Sequence, residues 1–236
     1  MVTEYEKKVQ VTAMFNAIAS KYDFLNHLLS FDIDKRWRRR LIKELAKRNP
    51  SSILDVATGT GDLAIMAAKN TDAHITGIDI AGKMIEIGKK KIERAQLNHR
   101  ISFLLADAEK LPFPDNSFDN ATVAFGVRNF SDLDKGIAEL SRVVKNNGEV
   151  FILEFSIPKN KLWRMIYIVY FHTILPFLGR LISGNIKAYR YLPRSVNTFP
   201  FGARFKQIVT ENGFNSCRTH SLAGGIAILY VAKKNI

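Results

Sequence analysis

The sequence predicts an α/β domain built on a doubly wound, mostly parallel sheet. Two observations carry the prediction. An apolar run, Ser52-Ile-Leu-Asp-Val56, breaks into Thr58-Gly59-Thr60-Gly61 and turns helical from Leu63 to Lys69, the strand, glycine loop and helix of a nucleotide-type site. Strand-like and helical patterns then alternate through Phe155, and the last two strand patterns are parted only by Gly224-Gly225. So short a link suits an antiparallel hairpin, because a parallel pair needs a helical crossover.

The chain has 236 residues, enough for one domain (1–236) with a sizeable core. At 47% hydrophobic and 24% charged it is ordinary globular material. Lysine and arginine total 35 against 22 acidic residues, and the formal charge of +13 favours an anionic partner. Nucleic acid and anionic lipid headgroups both qualify on charge alone. The lone cysteine, Cys217, rules out an intramolecular disulfide and fits a cytoplasmic protein. Glu4, Glu6, Lys7 and Lys8 interrupt any apolar signal segment.

Residues 1–48 read as a helical lid. Val11, Met14, Phe15, Ile18, Leu25 and Leu28 fall at helical spacing, and the segment runs into Lys35-Arg-Trp-Arg-Arg-Arg40. That basic run is either a solvated face anchored by Trp37, or a lid or headgroup contact.

Gly59 and Gly61 let backbone approach a ligand closely. With Ala64 they satisfy a dinucleotide pattern, and Asp79 stands where a ribose-binding acid belongs. Asp55, on the same strand as the loop, argues against a pyrophosphate, since its charge would repel phosphate oxygens in a low-dielectric cleft. It suits an ammonium. S-adenosylmethionine carries an ammonium and a sulfonium but no phosphate.

A second strand, Ala73 to Asp79, places Asp79 to bridge two ribose hydroxyls. The helix Lys83 to Arg94 turns Met84, Ile85, Ile87 and Ile92 inward and Lys89-Lys90-Lys91 outward. A third strand, Ile101 to Ala106, ends in Asp107-Ala108; Asp107 can accept from an adenine amine while the Ala108 amide meets the ring. Three acids at three strand ends fit a cationic adenosyl cofactor better than a pyrophosphate.

The fourth strand, Asn120 to Phe125, follows a proline-rich connection, and the helix Asp134 to Lys145 leads through Asn146-Asn147-Gly148 into a fifth, Glu149 to Phe155. That turn tolerates positive φ. The helix Ala203 to Asn212 and strands Ser216 to Ser221 and Ile226 to Lys233 close a seven-stranded sheet. Residues 158–200 form an inserted hydrophobic cap, richest from Leu162 to Ile182. Its uncharged part, Met165 to Gly179, is shorter than the ~20 residues a bilayer requires, and Pro176 would kink it. The cap is read as a core helix, an apolar groove for a lipid-like substrate, or a surface that dips into a membrane. No cluster of cysteine and histidine suggests a metal.

The chain resembles the quinone-biosynthesis C-methyltransferases over nearly its whole length. The resemblance rests on Phe15-Asn-Ala-Ile-Ala-Ser-Lys-Tyr-Asp-Phe-Leu-Asn26, Arg36-Trp37, Asp55 to Asp62, Leu111 to Asp119, Phe125-Gly-Val-Arg-Asn129, Arg142 to Lys145, Gly148 to Ser156 and Tyr189 to Ser195. It implies a Rossmann-like class I S-adenosylmethionine-dependent methyltransferase, with the cofactor on Thr60, Asp79, Asp107 and Ala108 and near Ala124. Ala124 stands where serine is frequent in the family, Asn146-Asn147 where proline-glycine is usual, and Asp32 where glycine is common.

The implied substrate is a polyprenylated hydroquinone, demethylmenaquinol or its ubiquinone-pathway counterpart. An oxidised quinone is too electron-poor to attack a methyl group. If a hydroxyl of the reduced ring has a pKa of roughly 10, ionising it at neutral pH costs about 4 kcal/mol. A fixed cation beside the phenolate offsets part of that. Arg128, just past the fourth strand, is the candidate, with a structural ion pair as its other reading. Asn129 and Tyr191 are pocket candidates, and His172 is either a base or a satisfied core histidine. Contact with an anionic membrane surface on its cytoplasmic face, and a homodimer, are the further partners the sequence allows. Nucleic acid is not expected, because Ala124-Phe-Gly-Val-Arg128 lacks the Asn/Asp-Pro-Pro-aromatic stack of enzymes that methylate base nitrogens. Asp55 and Asp107 disfavour a nicotinamide cofactor.

Overall fold

A computed structural model describes residues 3–30, 32–170, 173 and 186–235. His172, Phe171, Pro176 and Phe177 lie outside the described residues. Two helices lead, α1 (Glu4–Ser30) and α2 (Ile33–Ala46). Between them Asp32 takes φ 59°, a left-handed conformation that a short polar side chain tolerates, and its carboxylate meets Lys35 at 2.7 Å.

The alternating part follows as β1 (Ser52–Val56), α3 (Asp62–Asn70), β2 (His74–Asp79), α4 (Gly82–Arg94), β3 (Ile101–Leu105) and β4 (Phe118–Ala124). Then come α5 (Leu133–Val143), β5 (Val144–Phe155), α6 (Lys161–Val169), α7 (Ile186–Thr198), α8 (Ala203–Glu211), β6 (Ser216–Leu222) and β7 (Ala227–Lys233). The strands form one seven-stranded sheet in the order β3-β2-β1-β4-β5-β7-β6. The first five run parallel, and β7 is antiparallel to both of its neighbours. Strand order reverses between β1 and β4, which opens a crevice beyond their carboxyl ends.

Helices cover both faces, so the central strands are apolar on both sides. Along β5, Val150 and Ile152 enter one core with Leu54, Ile137 and Phe205, while Phe151 and Leu153 enter the other with Ile53, Ile75 and Trp37. Side chains that alternate faces at every residue produce this division.

Three expectations change. The fifth strand begins at Val144, which pairs with Phe118, before Asn120 pairs with Glu149; the asparagine turn, with Asn147 at φ 63°, is an irregularity inside β5. The basic run is not simply solvated, because Trp37 and Arg38 are buried while Arg36, Arg39 and Arg40 are exposed. Asp34, Trp37, Arg38 and Leu41 recur at helical spacing on the buried face of α2, and the Trp37 ring lies 6.1 Å from both Phe125 and Phe155. Lys91 is half-buried and ties α4 to α1 and the glycine loop, reaching Asp23 at 2.9 Å and also Asp62. No helix among the described residues is long and apolar enough to cross a membrane, and no metal-ligand cluster occurs among them.

Candidate active site

The loops after β1 and β4 meet at the crevice in unusual backbone conformations. Ala57 and Phe125 take φ 53° and 59°, each a cost of about 1–3 kcal/mol that surrounding packing must hold. Gly126 lets the loops touch, since a Cβ there would stand 2.6 Å from that of Ala57.

Each strand-end acid has a distinct setting. Asp79, at the end of β2, accepts from the amides of Gly59 (2.9 Å) and Ala81 (2.8 Å), and burial pushes its carboxyl above the usual range. Asp55, inside β1, accepts from the hydroxyls of Thr58 and Thr122, each at 2.6 Å. Burial raises it to about 6 despite those bonds. Asp107 meets Lys8 of α1 at 2.7 Å, and the same ammonium lies 2.9 Å from Glu109.

Three cavities converge here. The first, about 700 Å³ with its mouth, is lined by Gly59, Asp79, Asp107, Ala108 and Ala124, and α1 roofs it with Lys8, Phe15 and Tyr22. The second, about 750 Å³, lies among Asn26, Arg38, Phe125, Arg128, Phe155 and Tyr191. A smaller one of about 340 Å³ holds Asp55, Gly59, Thr60 and Arg38. Tyr22 lines all three, and burial raises its phenol above the ordinary value.

The structure thus brings together most of the residues read from the sequence. One cofactor candidate stands apart. Thr60 donates its hydroxyl to Asp23 of α1 and, like Asp55, borders only the smallest cavity, while Gly61 faces the ring of Phe103 and lines none of the three.

On the second cavity, Arg128 forms the ion pair that was its other reading. Its Nη1 lies 2.7 Å from Oε1 of Glu154, which is fully buried, and it also donates to the Phe125 carbonyl. The guanidinium carbon stands 5.3 Å from the centroid of Phe155, and Nε is buried with no hydrogen-bond partner among the described residues. Burial pushes the Glu154 carboxyl up. Tyr191 donates to Oδ1 of Asn129 at 3.0 Å, and burial raises its phenol too. Sequence reasoning missed Tyr22, Arg38 and Glu154. Tyr22 lies within the Phe15–Asn26 motif, whose polar members went unused.

The strand order, the glycine loop and an acid closing β2 define a Rossmann-like class I methyltransferase fold, whose methyl donor is S-adenosylmethionine. A putative S-adenosyl-L-methionine-dependent methyltransferase from Methanococcus maripaludis shares this fold, with a TM-score of 0.62 at 20% identity over 100% of this chain and 95% of that one.

The family follows from sequence comparison. The model of the ubiE/COQ5 methyltransferase family matches residues 1–234. The ubiquinone/menaquinone biosynthesis C-methyltransferase UbiE of Geotalea uraniireducens is 45% identical over 97% of this chain and 98% of its own length. The demethylmenaquinone methyltransferase of Thermus thermophilus is 47% identical over 94% of this chain and 100% of its own. The chain belongs to the ubiE/COQ5 methyltransferase family and is a methyltransferase.

Proposed function

We propose that this enzyme methylates a ring carbon of a polyprenylated hydroquinone in quinone biosynthesis, with demethylmenaquinol as the substrate. The observation that carries the proposal is a pair of cavities of different character that share Phe15, Tyr22 and Phe125 as a common wall. One holds Asp79 and Asp107, and the other holds aromatic rings with buried arginine.

The residues of the first cavity fit S-adenosylmethionine. Asp79 is fixed by two amides and is placed for the ribose, while Asp107 and the Ala108 backbone border the same space for adenine. Asp55 supplies a carboxylate for the ammonium, and Gly59 and Ala124 border both this cavity and the smaller one that holds Asp55. When bound, the cofactor supplies an electrophilic methyl group.

In the second cavity the walls of Phe125 and Phe155 suit a flat ring. Arg128 faces it with a buried guanidinium whose Nε retains an unspent donor. Its pairing with Glu154 fixes its position and leaves that donor for a phenolate oxygen that gains charge. Tyr191, on the wall of this cavity, donates to Asn129, which borders the first cavity, and the bond fixes the phenol oxygen available to a second ring oxygen. Alignment of donor and acceptor at near-attack distance is the remaining requirement. The shared wall provides the place for it.

The segments 1–48 and 158–200 serve as lid and cap. Lys8 and Lys91 anchor the lid across Asp107, Asp23 and Asp62. On α6, Leu162, Met165, Ile166 and Val169 form one exposed apolar face near Lys159, Lys161 and Arg164. This arrangement suits the cytoplasmic surface of an anionic bilayer, from which a polyprenyl tail would enter. The same face would serve a homodimer, and sedimentation with and without anionic vesicles separates the two.

The test is an anaerobic assay of purified enzyme with S-adenosylmethionine and demethylmenaquinone, either chemically reduced or left oxidised. The mass of one added methyl is expected with the reduced ring only. Equal gain with the oxidised ring would contradict the mechanism, and no gain with tight cofactor binding would move the substrate to a benzoquinol.

A further inference from the structure

We propose that Arg38 holds the α-carboxylate of the methyl donor, so that it and Asp55 form a matched pair of opposite charges for the zwitterionic end of the ligand. The proposal rests on S-adenosylmethionine as the ligand of the crevice.

Arg38 is buried on α2, yet its hydrogen-bonding capacity is largely unspent. A guanidinium has five N–H donors in a fixed fork. Here Nη1 reaches Oδ2 of Asp62 at 3.4 Å, and Nη2 lies 3.8 Å from Oδ2 of Asp34, beyond hydrogen-bond range. Nε is buried with no hydrogen-bond partner among the described residues. Neither acid is dedicated to Arg38. Oδ1 of Asp62 takes the Lys91 ammonium, and Oδ1 of Asp34 accepts from Ser30 at 2.7 Å. The guanidinium carbon also stands 5.8 Å from the centroid of Phe125.

A buried cation so weakly matched is costly unless an anion completes its shell. The position of Arg38 says which anion fits. It borders the smallest cavity together with Asp55, Gly59 and Thr60, at the carboxyl end of β1, where an ammonium is read from Asp55. Its charge also acts on the Asp55 carboxyl and opposes the rise that burial causes. An α-amino acid carries its ammonium and carboxylate on one carbon, so one cavity bordered by one acid and one arginine complements both groups. The planar fork suits a carboxylate through two parallel N–H bonds.

Arg38 also borders the second cavity, so contact with an oxygen of the acceptor ring is the competing role. Decarboxylated S-adenosylmethionine separates the two, because it lacks only the carboxylate. Calorimetry should show that the native enzyme binds S-adenosylmethionine about 10- to 100-fold more tightly than this analogue, the range for a hydrogen-bonded charged group. In Arg38→Met the preference should fall to within about threefold, because the carboxylated ligand weakens while the analogue binds as before. Unchanged binding of the analogue also reports an intact fold. Arg38→Lys, which keeps a point charge, should retain part of the preference.

Equal weakening of both ligands would overturn the proposal in favour of a structural role. An undiminished preference with a raised KM for hydroquinone would overturn it in favour of the acceptor. Failure of the native enzyme to bind either ligand would instead overturn the cofactor reading on which the proposal rests.

Discussion

A methyl group added at Gly88 tests how the glycine loop is held. The ring of Phe103 is enclosed by three glycines from three elements. A Cβ at Gly61 would stand 2.6 Å from Cζ, one at Gly77 2.5 Å from Cδ1, and one at Gly88 2.9 Å from Cδ2. The Gly88 Cβ would also lie 3.3 Å from the carbonyl carbon of Thr60. Two effects oppose each other in Gly88→Ala. Within α4, alanine in place of glycine gains about 1 kcal/mol in helix propensity. Overpacking costs about 1–3 kcal/mol, and the upper end applies because the ring cannot retreat. A net loss of about 2 kcal/mol follows. In a Phe103→Leu background the ring is gone, so the substitution should become neutral or stabilising by up to about 1 kcal/mol. Urea denaturation of the four proteins of the cycle reads a coupling of about 2–3 kcal/mol. Calorimetry with S-adenosylhomocysteine should show weaker binding by Gly88→Ala and recovery in the double variant. An equal cost in both backgrounds would refute the reasoning.

Two further predictions concern charge. Arg128→Met should destabilise the fold by about 3–5 kcal/mol, because it strands a buried carboxylate, and adding Glu154→Gln should recover most of that. Turnover should stay low in the double variant, and turnover that returned with stability would make Arg128 purely structural. For Asp55, held up to about 6, the ligand ammonium favours the ionised form, so S-adenosylhomocysteine affinity should fall as pH drops below 6, approaching tenfold per unit. Folding of the ligand-free protein has the opposite sign. A carboxyl raised above its unfolded value contributes most below pH ~4 and loses that contribution as pH rises through 6. A flat affinity from pH 5 to 8 would exclude Asp55 from the ammonium site.

Much of the fold was legible because local chemistry agrees with it. The apolar run into Thr58-Gly59-Thr60-Gly61, the acids that close successive strands and the Gly224-Gly225 link each require only neighbouring residues to interpret. The early start of β5 was not legible, since it depends on Val144 meeting Phe118 across the sheet. Arg38 and Lys91 were hidden for a related reason. Each lies in a run of basic residues that looks solvated, and only the packing of α2 and α4 turns one member of each run inward. Glu154 sits in an apolar strand, where nothing local shows that Arg128 lies opposite. The acids of the first cavity announce themselves as strand ends. The second cavity is assembled from α1, α2, α7, the stretch after β4 and the end of β5, and so appears only in three dimensions.

The most direct test of C-methylation is the position of the transferred group. Enzyme supplied with methyl-deuterated S-adenosylmethionine and reduced demethylmenaquinone should yield a quinone whose deuteriomethyl group NMR places on a ring carbon. A deuteriomethyl ether on a ring oxygen would contradict the account.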